Sequence, residues 1–204
     1  MSQRPTDVAW RSGFGDDYNR RNEGLVERNV AFLAKALSKI GGPINDVIEF
    51  GCGTGQNLVA LSRLFGPLLP LGGIEINNEA ATIAKTLGYQ VWEDSAIDVD
   101  LGGAKADLVL TKGFLIHVAP VDLPAVYSKI VQTSRRFILI AEYYNPTPIS
   151  VEYRGELGLL WKRDFATELL GLYPSLRVVD YGFTWRHDYP WYQDDITHFL
   201  IEKR

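Results

Sequence analysis

Glu49-Phe50-Gly51-Cys52-Gly53-Thr54-Gly55 joins an apolar run, Asp46 to Phe50, to an amphipathic one, Gln56 to Phe65, whose Leu58, Leu61 and Phe65 share one side. The first run reads as a short buried strand and the second as a helix. Three glycines at alternate positions let the backbone turn sharply and approach a ligand without side chains in the way. Two phosphate-bearing ligands fail at this turn. A dinucleotide needs Gly-x-Gly-x-x-Gly, but here the third glycine comes one residue early and Gln56 takes its place. Glu49 would also repel a pyrophosphate. No Gly-Lys-Ser/Thr follows, which excludes a P-loop.

The alternation continues downstream. Gly72 to Ile76, Tyr89 to Trp92, Ala106 to Thr111 and Arg136 to Glu142 read as strands, and Asn78 to Leu87 and Asp122 to Ser134 as helices. Such spacing requires crossovers, hence an α/β, doubly wound parallel sheet with helices on both faces. Upstream, Val26, Val30, Leu33, Leu37 and Ile40 form the stripe of a helix that starts at Glu23 and stops at Gly41-Gly42-Pro43. Near the end, a helix from Asp164 to Tyr173 precedes strands Leu176 to Trp185 and Ile196 to Glu202. Their short linker favours an antiparallel pair. The chain reads as one domain, 1–204, with an N-terminal lid over 1–22 and an insert over 146–163.

The strand ends carry acids. Glu49 suits a ligand with an ammonium and a sulfonium and no phosphate, which describes S-adenosylmethionine. Glu75, 20 residues after Gly55, is placed to accept from both ribose hydroxyls, and Asp94-Ser95 to accept from an adenine amino group. The bland alternative is three solvated loop carboxylates.

Composition narrows the rest. The chain has 204 residues, 46% hydrophobic and 23% charged, with a formal net charge of −4. It carries no like-charge tail, so nucleic acid is an unfavoured partner. One cysteine excludes an internal disulfide, and three scattered histidines predict no metal site. Leu64 to Ile74 is uncharged but broken by Pro67 and Pro70, so no membrane span is expected. The opening residues have no apolar core, which points to a cytoplasmic setting.

In combination, Glu49-x-Gly51-x-Gly53-x-Gly55, Glu75, Asp94-Ser95 and Asp107-Leu-Val-Leu-Thr-Lys-Gly113 with His117 resemble the class I S-adenosylmethionine-dependent methyltransferases over about residues 45–142. The resemblance implies a Rossmann-like seven-stranded sheet whose last strand is antiparallel. It implies a cofactor shell of Arg21, Glu49, Gly51, Cys52, Gly53, Gly55, Asn57, Glu75, Ile76, Asp94, Ser95, Lys112, Gly113 and His117, with Arg20 or Arg21 on the methionine carboxylate. Phe14-Gly-Asp-Asp-Tyr18, Arg20-Arg21-Asn22, Glu142-Tyr-Tyr-Asn-Pro146, Tyr153-Arg154-Gly155 and Lys162-Arg-Asp-Phe165 are similar to the pseudaminic acid biosynthesis-associated methylases. That family is linked to bacterial surface-sugar pathways.

Methyl transfer needs an aligned nucleophile and, for a hydroxyl or ammonium, a base. His117, after the fourth strand, is the expected base, with Glu142 and Tyr143 as further catalytic candidates. The plainer roles are a histidine bonded to a loop and a carboxylate paired with an arginine. Tyr18, Tyr144, Tyr153, Arg154, Lys162 and Arg163 are expected on the substrate, the three cations predicting an anionic sugar-like acceptor. Trp185 to Tyr192 offers a second aromatic wall or a homodimer contact. A protein or RNA methyltransferase and a non-catalytic cofactor binder remain the alternatives.

Overall fold

The computed structural model describes residues 4–22, 24–190 and 192–204; Glu23, the expected helix start, and Trp191, in the expected aromatic wall, lie outside them. Two short helices, α1 (Pro5–Arg11) and α2 (Gly13–Arg21), precede α3 (Val26–Ala36). Strands and helices then alternate: β1 (Val47–Phe50), α4 (Gln56–Phe65), β2 (Leu71–Glu75), α5 (Asn78–Thr86), β3 (Gln90–Glu93), β4 (Ala106–Lys112), α6 (Leu123–Thr133) and β5 (Ser134–Glu142). A two-residue pair follows, β6 (Ile149–Ser150) and β7 (Trp161–Lys162), and then α7 (Phe165–Leu172), β8 (Leu176–Thr184) and β9 (Ile196–Lys203).

The main sheet has seven strands in the order β3-β2-β1-β4-β5-β9-β8. β1 through β5 pair in parallel, and β9 runs antiparallel to both β5 and β8. Strand order reverses between β1 and β4, and in such a sheet the ligand crevice opens beyond the carboxyl ends at that point. The core fills both faces. Ile48, Phe50, Val109, Ile138 and Ile140 meet α6 and α7 on one side; Val47, Leu108, Leu110 and Leu139 meet α3 and α4 on the other.

Two local readings change. The glycines of the N-terminal segment do not make it a flexed loop: α1 and α2 pack so closely that a Cβ at Gly15 would sit 2.2 Å from the Trp10 carbonyl oxygen. Close packing, not mobility, calls for glycine there. The first-helix stripe also overshoots, since α3 ends at Ala36 and Leu37 to Lys39 form a turn.

Candidate active site

The glycine turn sits at the reversal. Gly51 has φ +71°, and a Cβ there would meet the Phe114 ring at 2.5 Å. Gly53 has φ +54° with nothing within 4 Å of a Cβ, so it leaves a bare cradle. Cys52 is buried and points down onto β2, where its Sγ would lie 2.4 Å from a Cβ at Gly73. Burial pushes its thiol pKa well up, which removes it as a nucleophile.

Two clefts meet above this turn. The first, about 860 Å3 and open to solvent, runs from Trp10 and Gly53 past Glu75, Ile76 and Asn77 to Asp94, Ser95 and Phe114. The second, about 910 Å3, lies between the α2–α3 connection, Asn57, Tyr143, Tyr153 and Asp194. Tyr18, Gly51, Gly53, Lys112, Gly113 and His117 line both and form the seam.

In the first cleft each polar group is braced. Glu75 is buried; its carboxylate accepts from Gly53 N at 2.8 Å and Asn77 N at 2.7 Å. Desolvation still raises its pKa. Those bonds hold it at the tip of β2 with lone pairs to spare for a pair of hydroxyls. Asn77 caps α5 through Ala80 N and also binds Asp16, Asn19 and the Trp10 carbonyl, tying the N-terminal helices to the sheet. Asp94 accepts from Arg11 at 2.8 Å and from Ser95 N, while Arg4 bonds Ser95 Oγ and Asp98. The segment thus closes one side of the cleft.

Glu49 lies beneath the turn, wholly buried, with Asn57 Nδ2 donating to Oε1 at 2.6 Å. Among the described residues, its Oε2 and the Asn57 Oδ1 are buried without a partner. Burial pushes the Glu49 carboxyl up to about 8. Two acceptors side by side leave room for a donor, and a cationic one would favour the ionised carboxylate.

At the seam, His117 ends a single 3-10 turn, Leu115–His117. Its ring packs on Trp10 (4.5 Å between centroids) and Tyr153 (5.4 Å). Nδ1 lies 2.7 Å from the Leu159 carbonyl oxygen. A carbonyl only accepts, so Nδ1 carries the hydrogen and Nε2 keeps a lone pair. Desolvation lowers the imidazole pKa to about 4, so the ring is neutral near pH 7. Lys112, at the end of β4, is half-buried with its ammonium 5.6 Å from the Phe32 ring centre, and desolvation lowers its pKa.

Several expected site residues stand elsewhere. Glu142 turns back to accept from the amides of Phe114 at 3.2 Å, Leu115 at 3.0 Å and Ile116 at 3.4 Å. It anchors the 3-10 turn carrying His117 and lines neither main cleft; burial pushes it up to about 7. Tyr143 lines the second cleft and donates to Asp194 at 2.6 Å, and burial raises its pKa. Arg21 and Arg154 are exposed and outside both clefts. Arg163 is bonded to Glu168 at 2.7 Å, Lys162 lies over the Tyr143 ring at 5.5 Å, and Tyr144 flanks a separate small hollow with Arg163. The basic residues of the insert therefore do not converge on the cleft. In the 185–195 loop, Trp185 and Tyr189 face solvent and Tyr192 stacks under Arg28 at 4.0 Å; the cleft is walled instead by Gln193 and Asp194.

Chain reading passes over Asn77, Gln193 and Asp194, and treats Trp10 only as part of a lid. For Asn77 a signal exists: an Asn directly before a helix is an N-cap pattern, and this one follows the strand-end Glu75 by two residues. Nothing in the chain marks Gln193 or Asp194.

Similarity of shape decides the architecture. Magnesium protoporphyrin IX methyltransferase of Synechocystis, crystallised with S-adenosylmethionine, superposes with TM-score 0.69 at 13% identity, covering 100% of both chains. The fold is the class I methyltransferase fold. The 1,6-didemethyltoxoflavin-N1-methyltransferase of Burkholderia thailandensis, with S-adenosylhomocysteine, matches this methyltransferase fold with TM-score 0.70 at 18% identity over 100% of this chain and 92% of its own. The plantazolicin methyltransferase BpumL, also with S-adenosylhomocysteine, matches at 0.65 and 14% over 98% and 94%. No protein-family model and no curated protein matches the sequence.

Proposed function

We propose that the chain is an S-adenosylmethionine-dependent methyltransferase acting on oxygen or nitrogen of a small, hydroxyl-rich acceptor. One observation carries the reading: among the described residues Glu49 Oε2 and Asn57 Oδ1 are buried acceptors without a partner, and Asn57 lines the second cleft and Glu75 the first, on either side of the bare Gly53 cradle that lines both. The cofactor's ammonium fits those acceptors, and its ribose fits Glu75. Asp94 and Ser95 are placed for the adenine edge, with Ile76 and Phe114 as apolar walls.

Bound in the crevice, the cofactor supplies an electrophilic methyl group. The protein's part is alignment and exclusion of water. Trp10, Phe14 and Tyr18 cover the seam with edge-to-face ring contacts at 5.3 and 5.2 Å. His117 Nε2, held by the Leu159 bond, takes the acceptor's proton as the new bond to carbon forms. Glu142 positions that histidine through the turn it anchors. The amides of Asn22, Asn29 and Gln193, with Tyr143 and Asp194, favour an acceptor rich in hydroxyls.

The acceptors named for the three neighbours, a porphyrin, a toxoflavin precursor and plantazolicin, support a small-molecule substrate. A sugar of a surface-glycan pathway rests on the narrower likeness at Phe14 to Tyr18 and Glu142 to Pro146. An anionic sugar is disfavoured because Arg154 is exposed, Arg163 is bonded to Glu168, and neither lines a main cleft. The test follows methyl label from S-adenosylmethionine into small molecules, protein and RNA of a bacterial extract. Glu75→Ala, expected to weaken cofactor binding about 100-fold, is the control. Label in a sugar fraction supports the reading, and label in protein or RNA overturns it.

A further inference from the structure

Arg20 and Arg21, the cations expected on the carboxylate of the cofactor's methionine end, are not where that end would lie. Arg20 is exposed and paired with Asp17, and Arg21 is exposed and lines neither cleft. Among the described residues, Lys112 is the one lysine or arginine that lines either cleft, and it lines both. We propose that Lys112 binds the carboxylate of the methionine end of bound S-adenosylmethionine, completing with Glu49 a socket for the zwitterion. This rests on the methyltransferase reading above.

The sheet places the two charges as such a socket requires. β1 and β4 are neighbours in parallel register, with Glu49 opposite Leu110 and Phe50 opposite Thr111. Lys112 therefore stands on the same face of the sheet as Glu49, one pleat further toward the carboxyl edge. On that face lie Phe32 of α3 and Asn57 in the first turn of α4. Glu49 and Lys112 do not form an ion pair, and among the described residues the Lys112 ammonium makes no hydrogen bond.

Glu49 Oε2 and Asn57 Oδ1, meanwhile, find no donor among the described residues. A half-buried ammonium with no bonded acceptor, on the same sheet face as buried acceptors with no bonded donor, leaves both needs to be met by a ligand. An α-amino acid end fills both at once, its ammonium toward Glu49 and Asn57 and its carboxylate toward Lys112. Asp194, also near Lys112, is exposed and already accepts from Tyr143. The charge with the larger unmet need is therefore the one on the cofactor side.

The test crosses two proteins with two ligands: wild type and Lys112→Met, each titrated by calorimetry with S-adenosylmethionine and with decarboxylated S-adenosylmethionine. Wild type is expected to prefer the carboxylate-bearing ligand by about 10- to 100-fold, the strength of a charge-assisted hydrogen bond out of water. In Lys112→Met that preference collapses to within about twofold, while affinity for the decarboxylated ligand changes little. A preference that survives in the variant, or an equal loss of both ligands, overturns the assignment. If Lys112→Met does not fold, Lys112→Gln keeps the chain length and polarity and is read by the same criteria. A wild type that binds both ligands equally well removes the carboxylate site alone. One that binds neither removes the methyltransferase reading beneath it.

Discussion

The two clefts share a seam but are built differently. The first is framed by strand ends, and its polar groups are held by backbone amides or by half-buried partners: Glu75 by Gly53 and Asn77, Asp94 by Arg11 and Ser95. The second is framed by the α2–α3 connection with the start of α3, the residues after β5 and the 185–195 loop, which among the described residues are joined by side-chain bonds. Tyr143 binds Asp194, Gln193 binds Asn29 at 3.2 Å, and Arg28 binds Tyr192 at 3.0 Å. The shape of the first follows from sheet register and tolerates little change. The second can be rebuilt by altering loops without disturbing the sheet, the usual division between a scaffold and its specificity.

The largest expected effect lies at the seam, where the clefts must cooperate. His117→Gln is expected to lower kcat by about 100-fold or more, with cofactor affinity changed by less than about threefold. Single-turnover rates beside calorimetry check this. An equal loss of both would make His117 part of the first cleft's frame and not the link between the two.

A smaller effect belongs to the first cleft. Glu49, pushed up to about 8 by burial, holds its proton at pH 7 when no cation faces it; Lys112 pulls the value down and Glu75 raises it further. An ammonium beside it favours the ionised form, so cofactor binding releases a proton below about pH 8. The sign follows: affinity rises with pH up to about 8, by at most about tenfold per unit, and falls again once the cofactor's own ammonium loses its proton. Calorimetry in two buffers of different ionisation heat measures the proton, and Glu49→Gln should abolish it.

The smallest effect marks the edge of the second cleft. Arg154→Ala and Arg163→Ala are each expected to shift KM for the acceptor by less than about twofold, since neither lines it. A rise of tenfold or more in steady-state assays would bring the insert's cations back to the substrate and blur the contrast.

The same contrast explains what could be read in the chain. Strand-helix alternation and the terminal antiparallel pair are legible because buried strands and amphipathic helices leave periodic traces, and Glu49 to Gly55 marks the turn through glycine's conformational demands. α1 and α2 are hidden because Gly13 and Gly15 argue against helix, while the reason for Gly15 is contact with Trp10 and Asn77, distant in one case by more than half a hundred residues. β6 and β7 are two residues each, too short for any period to show. Glu142 reads as a strand-end acid facing the site, yet its oxygens are taken by three amides from the connection after β4. Nothing local distinguishes an acid that faces a ligand from one that caps a turn.

The Leu159 carbonyl at His117 Nδ1 has a consequence for traffic through the site. That face of the ring is closed, so under the proposed mechanism a proton received at Nε2 has no relay through the far nitrogen. It would leave on the cleft side, where the acceptor enters. Resetting the histidine and clearing the chamber would then be a single event in each turnover.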